Sequence, residues 1–457
     1  DVEIIVVDDA STDGTSDIVK RLASSEPRIK FVESHRNHGP YFCRNVGLLM
    51  ASGEFVAFHD ADDLTDAGRL ADQVDALRQG EMSVSVCHAA RWDADFQTAI
   101  SEPRFASVTM VFRRTLIDDV GFFDSVRFGG DSEFLARVRR CKGPASVAVL
   151  PRELYFLRFH PQSLTASPEF PAYQQEGGRL KLALSEVRQE YERAFQDWHR
   201  SETSPFVPFP LKKRPFRVPA IQESSFFSGM EFHAGMATFP ERADTAPRAI
   251  ESLVGQFDSL SVYLNGYQEA PAWAAGLPDV DFTLGEDLKD VGKFRAVEGK
   301  DGLHFTVDDD IEYPTDYGQK MAIWLALAPE KSVVGVHGVN YLFSSVDALA
   351  MGRPKRQVFH FRLDHEGSEV HALGTGTTAF LSVDFPNIRA VFKRTGFCDL
   401  YFSGHARSIG ARLVCVPRAD GWLRELKRPS SESLWVRNAN RSAEMSQVLL
   451  DSQVLEH

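Results

Sequence analysis

The sequence predicts an α/β protein with two domains in tandem, and three observations lead to this prediction. The chain has 457 residues, which is too long for one hydrophobic core and suits two domains of roughly 200 residues each. Short apolar runs alternate with helical patterns in both halves, as expected for mainly parallel sheets covered by helices. Each half also contains an apolar strand that ends in an acidic triplet, EFVAFHDADD at Glu54 to Asp63 and LHFTVDDD at Leu303 to Asp310.

The first half runs from Val2 to about His160 and begins with the apolar run EIIVV. A helical pattern from Ser16 to Ala23 follows, and then the strand KFV, the helical pattern CRNVGLLMA, the strand EFVAF and the helical pattern RLADQVDAL. Sheets of this kind bind their ligands at the carboxyl ends of the strands, which is where the acidic triplet lies.

A connector follows the first half. Apolar residues at helical spacing predict an amphipathic helix from Glu176 to Arg200. Five prolines that cannot continue a helix then predict a stiff linker: Pro205, Pro208, Pro210, Pro215 and Pro219. We therefore expect a first domain at 1–168, a helical and Pro-rich linker at 169–228, a second domain at 229–428 and a polar tail at 429–457.

The second half starts a new alternation near Glu231. It contains the strand FHAGMATF, a helix from Thr245 to Val254, the strands SLSVYLNGY and LHFTVDDD, a helix from Gln319 to Ala328 and the strand VVGVHGV. We interpret the two halves as a tandem repeat of one architecture.

The composition limits the classes of function. A hydrophobic fraction of 43% is ordinary for a soluble globular chain, and a net charge of −13 argues against nucleic acid as a partner. The five cysteines lie far apart, which fits reduced thiols in a cytoplasm. No apolar run approaches the roughly 18 residues that span a bilayer, so we expect a cytoplasmic protein with at most a peripheral contact to the inner face of the membrane. Because the chain opens at Asp1 without a Met, we also expect residues upstream.

The acidic triplets predict divalent metal sites. Carboxylates at the carboxyl edge of a sheet are hard oxygen ligands for Mg²⁺ or Mn²⁺, and such a cation can neutralise a leaving diphosphate. The alternative is a solvated turn before a helix, since Asp is a good N-cap. Taken alone, each triplet supports the two interpretations about equally.

Three motifs of the first half carry a resemblance when they are taken together. VDDASTDGT at Val7 to Thr15, HRNHGPYFCRNVGL at His35 to Leu48 and the first acidic triplet occur in the order found in the family 2 glycosyltransferases of the GT-A fold, which this half resembles. The resemblance implies that Asp9 hydrogen-bonds a uracil ring, that Arg44 lies near the nucleotide or diphosphate, and that Asp60 and Asp62 serve the ribose and the metal.

Two later motifs extend this resemblance. FGGDSEFLARV is similar to the acceptor-side motif of the family and makes Asp131 the general base of an inverting transfer, with a helix N-cap as the alternative. The family commonly has Glu where this chain has Gly130, which leaves the acceptor preference open. RFHPQSLT looks like the closing His motif and implies that His160 reaches the diphosphate or the metal, with a structural histidine as the alternative. The first strand of the family is absent.

The segments YLNGYQEAP, DGLHFTVDDDIEYPTDY and CDLYFS of the second half carry a second resemblance. Through them the second half resembles the second domain of the two-domain bacterial heparosan synthases, and the resemblance of the whole chain extends from Asp1 to about Leu423. It implies that the first domain adds glucuronic acid with inversion and the second adds N-acetylglucosamine with retention. The residues implied for the second site are Asp308 and Asp310 for the metal, Arg242 and Lys293 for the nucleotide or diphosphate, and Asp399 and Trp422 for the acceptor. Plain core packing is the alternative for Trp422.

The resulting expectation is two tandem GT-A (Rossmann-like) nucleotide-sugar-binding domains joined by a helical, Pro-rich linker. Such a protein uses Mn²⁺ or Mg²⁺ and transfers sugars from UDP-sugars to an oligosaccharide or polysaccharide acceptor, for example in capsule synthesis. One alternative keeps the fold and changes the sugars, because a few pocket residues set specificity. Another makes the first domain a silent module that binds nucleotide or glycan for an active second domain.

Overall fold

A computed structural model of the chain describes residues 1–160, 163, 165–167, 171–176, 179–224, 226–342, 356–426, 447–449, 451, 452 and 454. The chain divides into two compact units, Asp1–Ser228 and Gly229–His457, which we call unit 1 and unit 2. Both units are mixed α/β, so the predicted fold class is confirmed. Within the described residues, no helix combines the length and the apolar character needed to cross a membrane.

Unit 1 contains six helices and ten strands among its described residues. The helices are α1 (Thr15–Ser25), α2 (Pro40–Met50), α3 (Arg69–Arg78), α4 (Leu116–Val120), α5 (Gly130–Lys142) and α6 (Glu186–Ser201). The strands are β1 (Ile4–Asp9), β2 (Ile29–Ser34), β3 (Phe55–Ala57), β4 (Leu64–Thr65), β5 (Val84–Trp92), β6 (Arg104–Phe105), β7 (Val111–Arg113), β8 (Val147–Arg158), β9 (Tyr173–Glu176) and β10 (Arg179–Leu182).

The strands of unit 1 form three sheets. β1 and β2 pair in parallel, and β9 and β10 form an antiparallel pair. The six-stranded sheet has the order β3-β7-β5-β8-β4, with β6 paired to β5. β3, which precedes the first acidic triplet, is an edge strand of this sheet and pairs with β7.

Unit 2 is built in the same way from four helices and thirteen strands among its described residues. The helices are α7 (Ala246–Leu253), α8 (Gly292–Ala296), α9 (Tyr317–Leu327) and α10 (Cys398–Ser408). The strands are β11 (Phe232–Thr238), β12 (Ser259–Asn265), β13 (Val280–Gly285), β14 (Leu303–Val307), β15 (Ile311–Glu312), β16 (Ser332–Gly335), β17 (Gly338–Tyr341), β18 (Arg356–Phe359), β19 (Ser368–Glu369), β20 (Ala372–Leu373), β21 (Thr377–Leu381), β22 (Arg412–Cys415) and β23 (Arg424–Glu425). Eight of them form one sheet with the order β13-β12-β11-β14-β21-β16-β22-β19.

The two units share one pattern of strand pairing around the acidic strand. In unit 1, β3 pairs antiparallel with β7, β7 pairs antiparallel with β5, and β5 pairs in parallel with β8. In unit 2, β14, β21, β16 and β22 repeat the same antiparallel, antiparallel, parallel sequence. The chain also visits the four positions in the same order in both units, which agrees with a repeat of one architecture.

The expectation of mainly parallel sheets is wrong at these inserted strands. β7 and β21 return between two strands already formed and run opposite to both neighbours. An antiparallel neighbour needs only a turn, whereas a parallel one needs a long crossover connection. Both strands are short apolar runs, so the sequence pattern gives no direction for them.

The helix expected from Glu176 to Arg200 is shorter in the structure. It begins at Glu186, and β9 and β10 form a hairpin in front of it. Two glycines at 177 and 178 separate the strands in sequence, and a Gly-Gly pair favours a hairpin turn over a helix. The backbone N–H of Leu180 donates to the carbonyl of Ile100, which attaches this hairpin to unit 1.

The residues expected to form the linker, 169–228, belong to unit 1 in the described part of the chain. Val207, Phe209 and Leu211 of the Pro-rich segment are buried, and Trp198 of α6 packs with Val207 and Leu211. Apolar residues between the prolines therefore contribute to a core as well as to a connection.

The tail expected at 429–457 lies mostly outside the described residues. Val448, Leu449 and Val454 are described and buried, and they pack in one cluster with Leu400 and Tyr401 of α10. All five cysteines are free thiols, and all except Cys141 are buried.

Candidate functional sites

The first acidic turn follows β3 and is held from two sides. The backbone N–H of Asp60 donates a 3.0 Å hydrogen bond to the hydroxyl of Tyr155, a fully buried residue of β8. The Asp60 carboxylate forms an ion pair of 2.6 Å with Arg44 of α2. The position of the turn is therefore fixed by one neighbour on a strand and one on a helix.

Asp62 and His160 lie together on this turn. The Nε2 atom of His160 is 3.0 Å from a carboxylate oxygen of Asp62, and both side chains are partly exposed. The structure thus brings together the two residues expected to reach a metal in unit 1. One oxygen ligand and one imidazole ligand suit Mn²⁺ or Mg²⁺, with imidazole the better match for Mn²⁺.

Asp63 points into the protein. Its carboxylate accepts a 2.8 Å hydrogen bond from the backbone N–H of Arg158, and burial raises its pKa to about 7. A carboxylate in that position stabilises the turn and the end of β8 rather than facing a ligand.

Asp9 holds the loop that precedes α2 through hydrogen bonds to its backbone. Its two carboxylate oxygens accept hydrogen bonds of 2.6 Å and 2.8 Å from the backbone N–H groups of His38 and Gly39. Gly39 has φ +84°, a conformation that favours glycine, and Pro40 then starts the helix at its first turn. The loop and the helix that carries Arg44 are therefore fixed to the end of β1.

Asp131 lies in the first turn of α5, and both of its oxygens are hydrogen-bonded. The hydroxyl of Tyr41 donates to one oxygen at 2.6 Å, and the hydroxyl of Ser107 donates to the other at 2.6 Å. The guanidinium carbon of Arg44 lies 4.9 Å from the centre of the Tyr41 ring. Tyr41 consequently links Asp131, expected on the acceptor side, to the Arg44–Asp60 pair, expected on the donor side.

The second acidic turn follows β14. The backbone N–H of Asp308 donates to the hydroxyl of Tyr313 at 2.8 Å, and this hydroxyl donates to the carbonyl of Gly376 at 2.6 Å. The Asp308 carboxylate forms an ion pair with Lys293 of α8. Lys293 is only 4% exposed. Burial alone lowers the pKa of Lys293, and the neighbouring anionic groups, Asp308 first, outweigh that effect so that the pKa is raised.

The Gly-rich turn 374–376 lies directly against Asp308. A β-carbon on Gly376 would fall 1.9 Å from a carboxylate oxygen of Asp308, so only glycine fits there without a rearrangement. The backbone of this turn therefore approaches the acidic turn closely.

Asp310 and Asp309 share Arg242. A guanidinium nitrogen of Arg242 lies 2.6 Å from an oxygen of Asp310, and its Nε lies 3.4 Å from an oxygen of Asp309. Asp309 is buried, and burial raises its pKa to about 7. Asp308 and Asp310 are consequently the two acids of this turn that are partly exposed.

Asp399 and Trp422 have different surroundings. Asp399 lies in the first turn of α10 and accepts hydrogen bonds of 2.8 Å and 2.6 Å from the N–H and the hydroxyl of Thr375. Trp422 is partly exposed, donates from its indole N–H to Asp316 at 3.0 Å and lies beside the ring of Tyr317. Asp399 therefore belongs to the cluster around Lys293, whereas Trp422 packs against the start of α9.

The two sites correspond part by part. The first acid of each turn pairs with a cation from the preceding helix, Arg44 or Lys293. The backbone N–H of that first acid donates to a buried tyrosine hydroxyl. In each unit, the second residue of a later helix is an aspartate that accepts a hydrogen bond from a Ser or Thr hydroxyl just before the inserted strand. In unit 1 the tyrosine is Tyr155, the aspartate is Asp131 and the hydroxyl belongs to Ser107. In unit 2 the corresponding residues are Tyr313, Asp399 and Thr375.

Sequence reasoning missed several of these residues. Tyr41 stands three residues before Arg44 on one helix, and this spacing signals that the two side chains share a face. Tyr313 follows Asp308 closely, whereas Tyr155 and Ser107 are far from their partners in sequence and carry no local signal.

The donor atoms of both turns fit a divalent cation. Unit 1 offers Asp62 and His160, and unit 2 offers Asp308 and Asp310, which are ligands of the kind that Mn²⁺ and Mg²⁺ take in proteins. Within the described ranges, no group of three or more His, Cys, Asp or Glu side chains is gathered around one point. The remaining ligands of such a cation would therefore come from water or from a bound diphosphate.

The first 130 residues match a known family. Residues 1–130 match the family model described as "Glycosyl transferase family 2", and they include β1 to β7 of unit 1 and most of its site. Residues 1–130 of unit 1 are therefore similar to the family 2 glycosyltransferases.

Individual relatives agree with this class. The chain is 26% identical over 199 residues to the uncharacterized glycosyltransferase EpsJ of Bacillus subtilis (strain 168), covering 38% of this chain and 57% of the relative. It is 42% identical over 81 residues to the GalNAc(5)-diNAcBac-PP-undecaprenol beta-1,3-glucosyltransferase of Campylobacter jejuni, covering 18% of this chain and 26% of the relative. Each match thus spans little more than half of the relative, or less. Among solved structures, S. aureus TarS with UDP-GlcNAc is 23% identical with a TM-score of 0.30, over 36% of this chain and 52% of that chain.

Proposed function

We propose that this chain is a bifunctional glycosyltransferase that transfers sugars from UDP-sugar donors to a growing polysaccharide, with one donor site in each unit. The observation that carries the proposal is the correspondence of the two sites. Residues 1–130 of unit 1 match the family 2 glycosyltransferases, and unit 2 repeats both the strand pairing of unit 1 and the contacts of its acidic turn. Two copies of one arrangement are expected when two related transfers alternate on one polymer.

In unit 1 the proposed donor contacts are Asp9, Arg44 and Asp60. Asp62 and His160 would hold the divalent cation, which supplies charge neutralisation for a leaving diphosphate. Arg44 would add a guanidinium to the same diphosphate, and its ion pair with Asp60 at the edge of the turn supports this role.

Asp131 is the proposed general base of an inverting transfer. The acceptor hydroxyl oxygen attacks the anomeric carbon, the bond from that carbon to the phosphate oxygen breaks, and the hydroxyl proton passes to Asp131. Tyr41 and Ser107 hold the carboxylate in one orientation. Each carboxylate oxygen has a second acceptor position, so Asp131 can bind the acceptor hydroxyl while both contacts persist.

In unit 2 the proposed metal ligands are Asp308 and Asp310. Arg242 and Lys293 would face the nucleotide or diphosphate, and Asp399 and Trp422 would contact the acceptor. We propose a retaining transfer here, in which the leaving phosphate oxygen accepts the proton of the acceptor on the same face. By resemblance to the two-domain heparosan synthases, unit 1 uses UDP-glucuronic acid and unit 2 uses UDP-N-acetylglucosamine.

The test is a panel of UDP-sugars with Mn²⁺, given to the wild-type chain and to the Asp62→Asn and Asp310→Asn variants. We expect each variant to lose the transfer of one sugar and to keep the other. Asp75→Asn and Asp279→Asn are matched controls, because both aspartates are exposed and lie outside the acidic turns. Calorimetry of UDP binding with and without Mn²⁺ gives a readout that does not depend on turnover.

Two results would change the proposal. Transfer that is unaffected by Asp62→Asn favours a silent first unit that only binds nucleotide or glycan. Transfer that is unaffected by both substitutions, together with UDP binding that ignores Mn²⁺, overturns the assignment of the acidic turns as donor sites.

A further inference from the structure

We infer that unit 1 contains an oxyanion-binding subsite for the acceptor, formed by Arg91, Arg104 and Arg188 beside Asp131. The inference rests on the proposed transferase function of unit 1 and names the chemistry of its acceptor, which would carry a carboxylate or a phosphate. We call these three residues the arginine cluster.

Two members of the cluster share one aromatic ring. The guanidinium carbon of Arg91 lies 4.2 Å from the centre of the Tyr173 ring, and that of Arg104 lies 4.8 Å from the same point. Arg91 is on β5 and Arg104 is on β6, whose Arg104 pairs with Ala89 of β5. Stacking on one ring fixes the planes of both guanidinium groups.

These two guanidinium groups lack the partners that buried charges normally have. Arg91 is only 8% exposed, and its Nε is buried without a hydrogen-bond partner among the described residues. The same holds for one terminal nitrogen of Arg104. Among the described residues, no carboxylate forms an ion pair with Arg91 or Arg104, and the nearby Glu102 pairs with Arg179 instead. Buried charges are ordinarily paired, so these donors point to an anion that binds from outside.

Arg188 places the cluster next to the proposed general base. It lies on α6, and its guanidinium carbon is 4.2 Å from the centre of the Phe128 ring, which stands shortly before α5. Burial lowers the pKa of Arg188, and the neighbouring Tyr41, Asp131 and Tyr173 oppose that effect. Arg188 therefore connects the ring shared by the other two arginines with the carboxylate of Asp131.

The position of the cluster indicates an acceptor rather than a donor. Ser107, which donates to Asp131, follows Arg104 by three residues. Tyr41 separates Asp131 from the Arg44–Asp60 pair at the acidic turn. An anion bound by the cluster would therefore lie beyond Asp131, on the side where an acceptor hydroxyl approaches. Such a subsite also explains how a chain with a net charge of −13 can hold an acidic glycan.

Guanidinium groups bind carboxylate and phosphate with the same paired N–H geometry. An acidic sugar within the acceptor and a phosphate at its reducing end are the two sources of that chemistry. The test therefore uses three acceptors of equal length: an oligosaccharide that contains a uronic acid, its carboxyl-reduced neutral counterpart, and the neutral oligosaccharide linked to a phosphate.

The experiment measures the acceptor KM and kcat of unit 1 transfer at saturating donor, with the full chain. We expect the wild-type KM to be about tenfold lower for one anionic acceptor than for the neutral one, and to rise with salt. Arg104→Gln and Arg91→Gln should each raise that KM about tenfold and leave the neutral KM and the donor KM unchanged. Preference for the uronic acid or for the phosphate-linked acceptor both support the subsite and identify the source of the anion.

Controls separate this role from a structural one. Arg78→Gln also removes a guanidinium that lies over an aromatic ring, 5.5 Å from the centre of Phe55, but from the exposed side of α3. We expect it to change neither KM. Because Arg91 is buried, Arg104→Gln is the decisive variant if Arg91→Gln does not fold. Equal KM values for charged and neutral acceptors in the wild type, or equal losses for both in Arg104→Gln, overturn the inference.

Failure of the proposed function would look different. In that case UDP-sugar binding to unit 1, measured by calorimetry without acceptor, is absent in the wild type. Direct binding of the anionic and neutral oligosaccharides can still be compared by the same method, so the subsite is tested even without turnover.

Discussion

The ring of Tyr41 occupies the space that a side chain on Gly130 would need. A β-carbon at that position would lie 2.9 Å from the Cγ atom of Tyr41, closer than packed atoms approach. The hydroxyl of the same tyrosine is 2.6 Å from Asp131. The ring of Tyr41 therefore links the absence of a side chain at Gly130 to the orientation of Asp131.

Gly130→Ala should displace Tyr41 and weaken its hold on Asp131. We expect the kcat of unit 1 transfer to fall about tenfold, because a small misplacement of a reacting group is costly, and stability to fall by about 1–3 kcal/mol from overpacking. Steady-state kinetics and urea unfolding measure the two effects. Gly47→Ala is the matched control, since its β-carbon would find its nearest neighbour only at 4.0 Å. An unchanged kcat in Gly130→Ala would show that Tyr41 does not orient Asp131.

Tyr313→Phe should loosen the second acidic turn. The substitution removes the acceptor of the Asp308 N–H and leaves a buried donor without a partner, which costs about 1–3 kcal/mol. We also expect weaker capture of the unit 2 donor, measured by calorimetry. Tyr155→Phe should act on unit 1 in the same way, because it receives the N–H of Asp60.

The matched control for Tyr313→Phe is Tyr317→Phe. The hydroxyl of Tyr317 is buried without a hydrogen-bond partner among the described residues, and its ring centre lies 4.7 Å from that of Tyr313. Removing a hydroxyl that has no partner is expected to be neutral or stabilising. Similar losses in the two variants would contradict a specific role for the Tyr313 hydroxyl.

The sequence predicted the parts of these sites that are local. Asp60, Asp62, Asp308 and Asp310 were recognisable because acids directly follow apolar strands, and the α/β class followed from alternating periodicities. The tyrosine contacts could not be predicted in the same way. Tyr155 lies 95 residues from Asp60 and meets it only because β8 and the end of β3 belong to one sheet.

Gly130, where the family commonly has Glu, shows the same limit of prediction from sequence. A motif comparison marks the position as unusual, but only the packing of Tyr41 shows what replaces the expected side chain. The directions of β7 and β21 and the hairpin of β9 and β10 were also set by tertiary pairing. Pattern alone does not distinguish a short parallel strand from an antiparallel one, nor a polar hairpin from the first turns of an amphipathic helix.

A buried ion pair joins α5 to the loop before it and to α6. Glu133 and Arg137 are fully buried and form two hydrogen bonds of 2.9 Å and 2.8 Å, and Arg137 also donates to the carbonyls of Val120 and Phe122. His199 of α6 contacts Glu133 at 3.0 Å. Because Asp131 lies two residues before Glu133 in the first turn of α5, this cluster anchors the helix that carries the proposed base.

Arg137→Met should lower the free energy of unfolding by about 3–5 kcal/mol, because it leaves the Glu133 carboxylate buried without its main partner. The double variant Arg137→Met with Glu133→Gln should recover part of that loss. Arg200→Met, which breaks an exposed pair with Asp197, should cost less than about 1 kcal/mol. Denaturant unfolding monitored by tryptophan fluorescence measures all three. If the single and the double variants lose equal stability, the buried charge is not the cause.

Unit 2 should lose stability in mild acid because of His304, the second residue of β14. Burial lowers the pKa of this histidine to about 4, and its Nε2 lies 2.8 Å from the carbonyl of Lys300, to which it donates. His233 on the neighbouring strand also has a pKa lowered by burial. The other charged groups nearby are Lys300 and Asp301.

The direction of the effect follows from proton binding. An unfolded chain protonates this imidazole near pH 6.5, whereas the folded unit resists protonation down to about pH 4. The stabilising contribution is therefore complete above pH 6.5 and is lost as the pH falls from 6.5 to 4, to an extent of about 3 kcal/mol. His304→Gln keeps a donor for the Lys300 carbonyl and cannot titrate, so its unfolding free energy should fall less over that range than that of the wild type. Carboxylates titrate in the same window, and the difference between the two proteins cancels their contribution. His35→Gln, at an exposed histidine of unit 1, should follow the wild-type curve, and identical pH curves for His304→Gln and the wild type would show that His304 is not the group responsible.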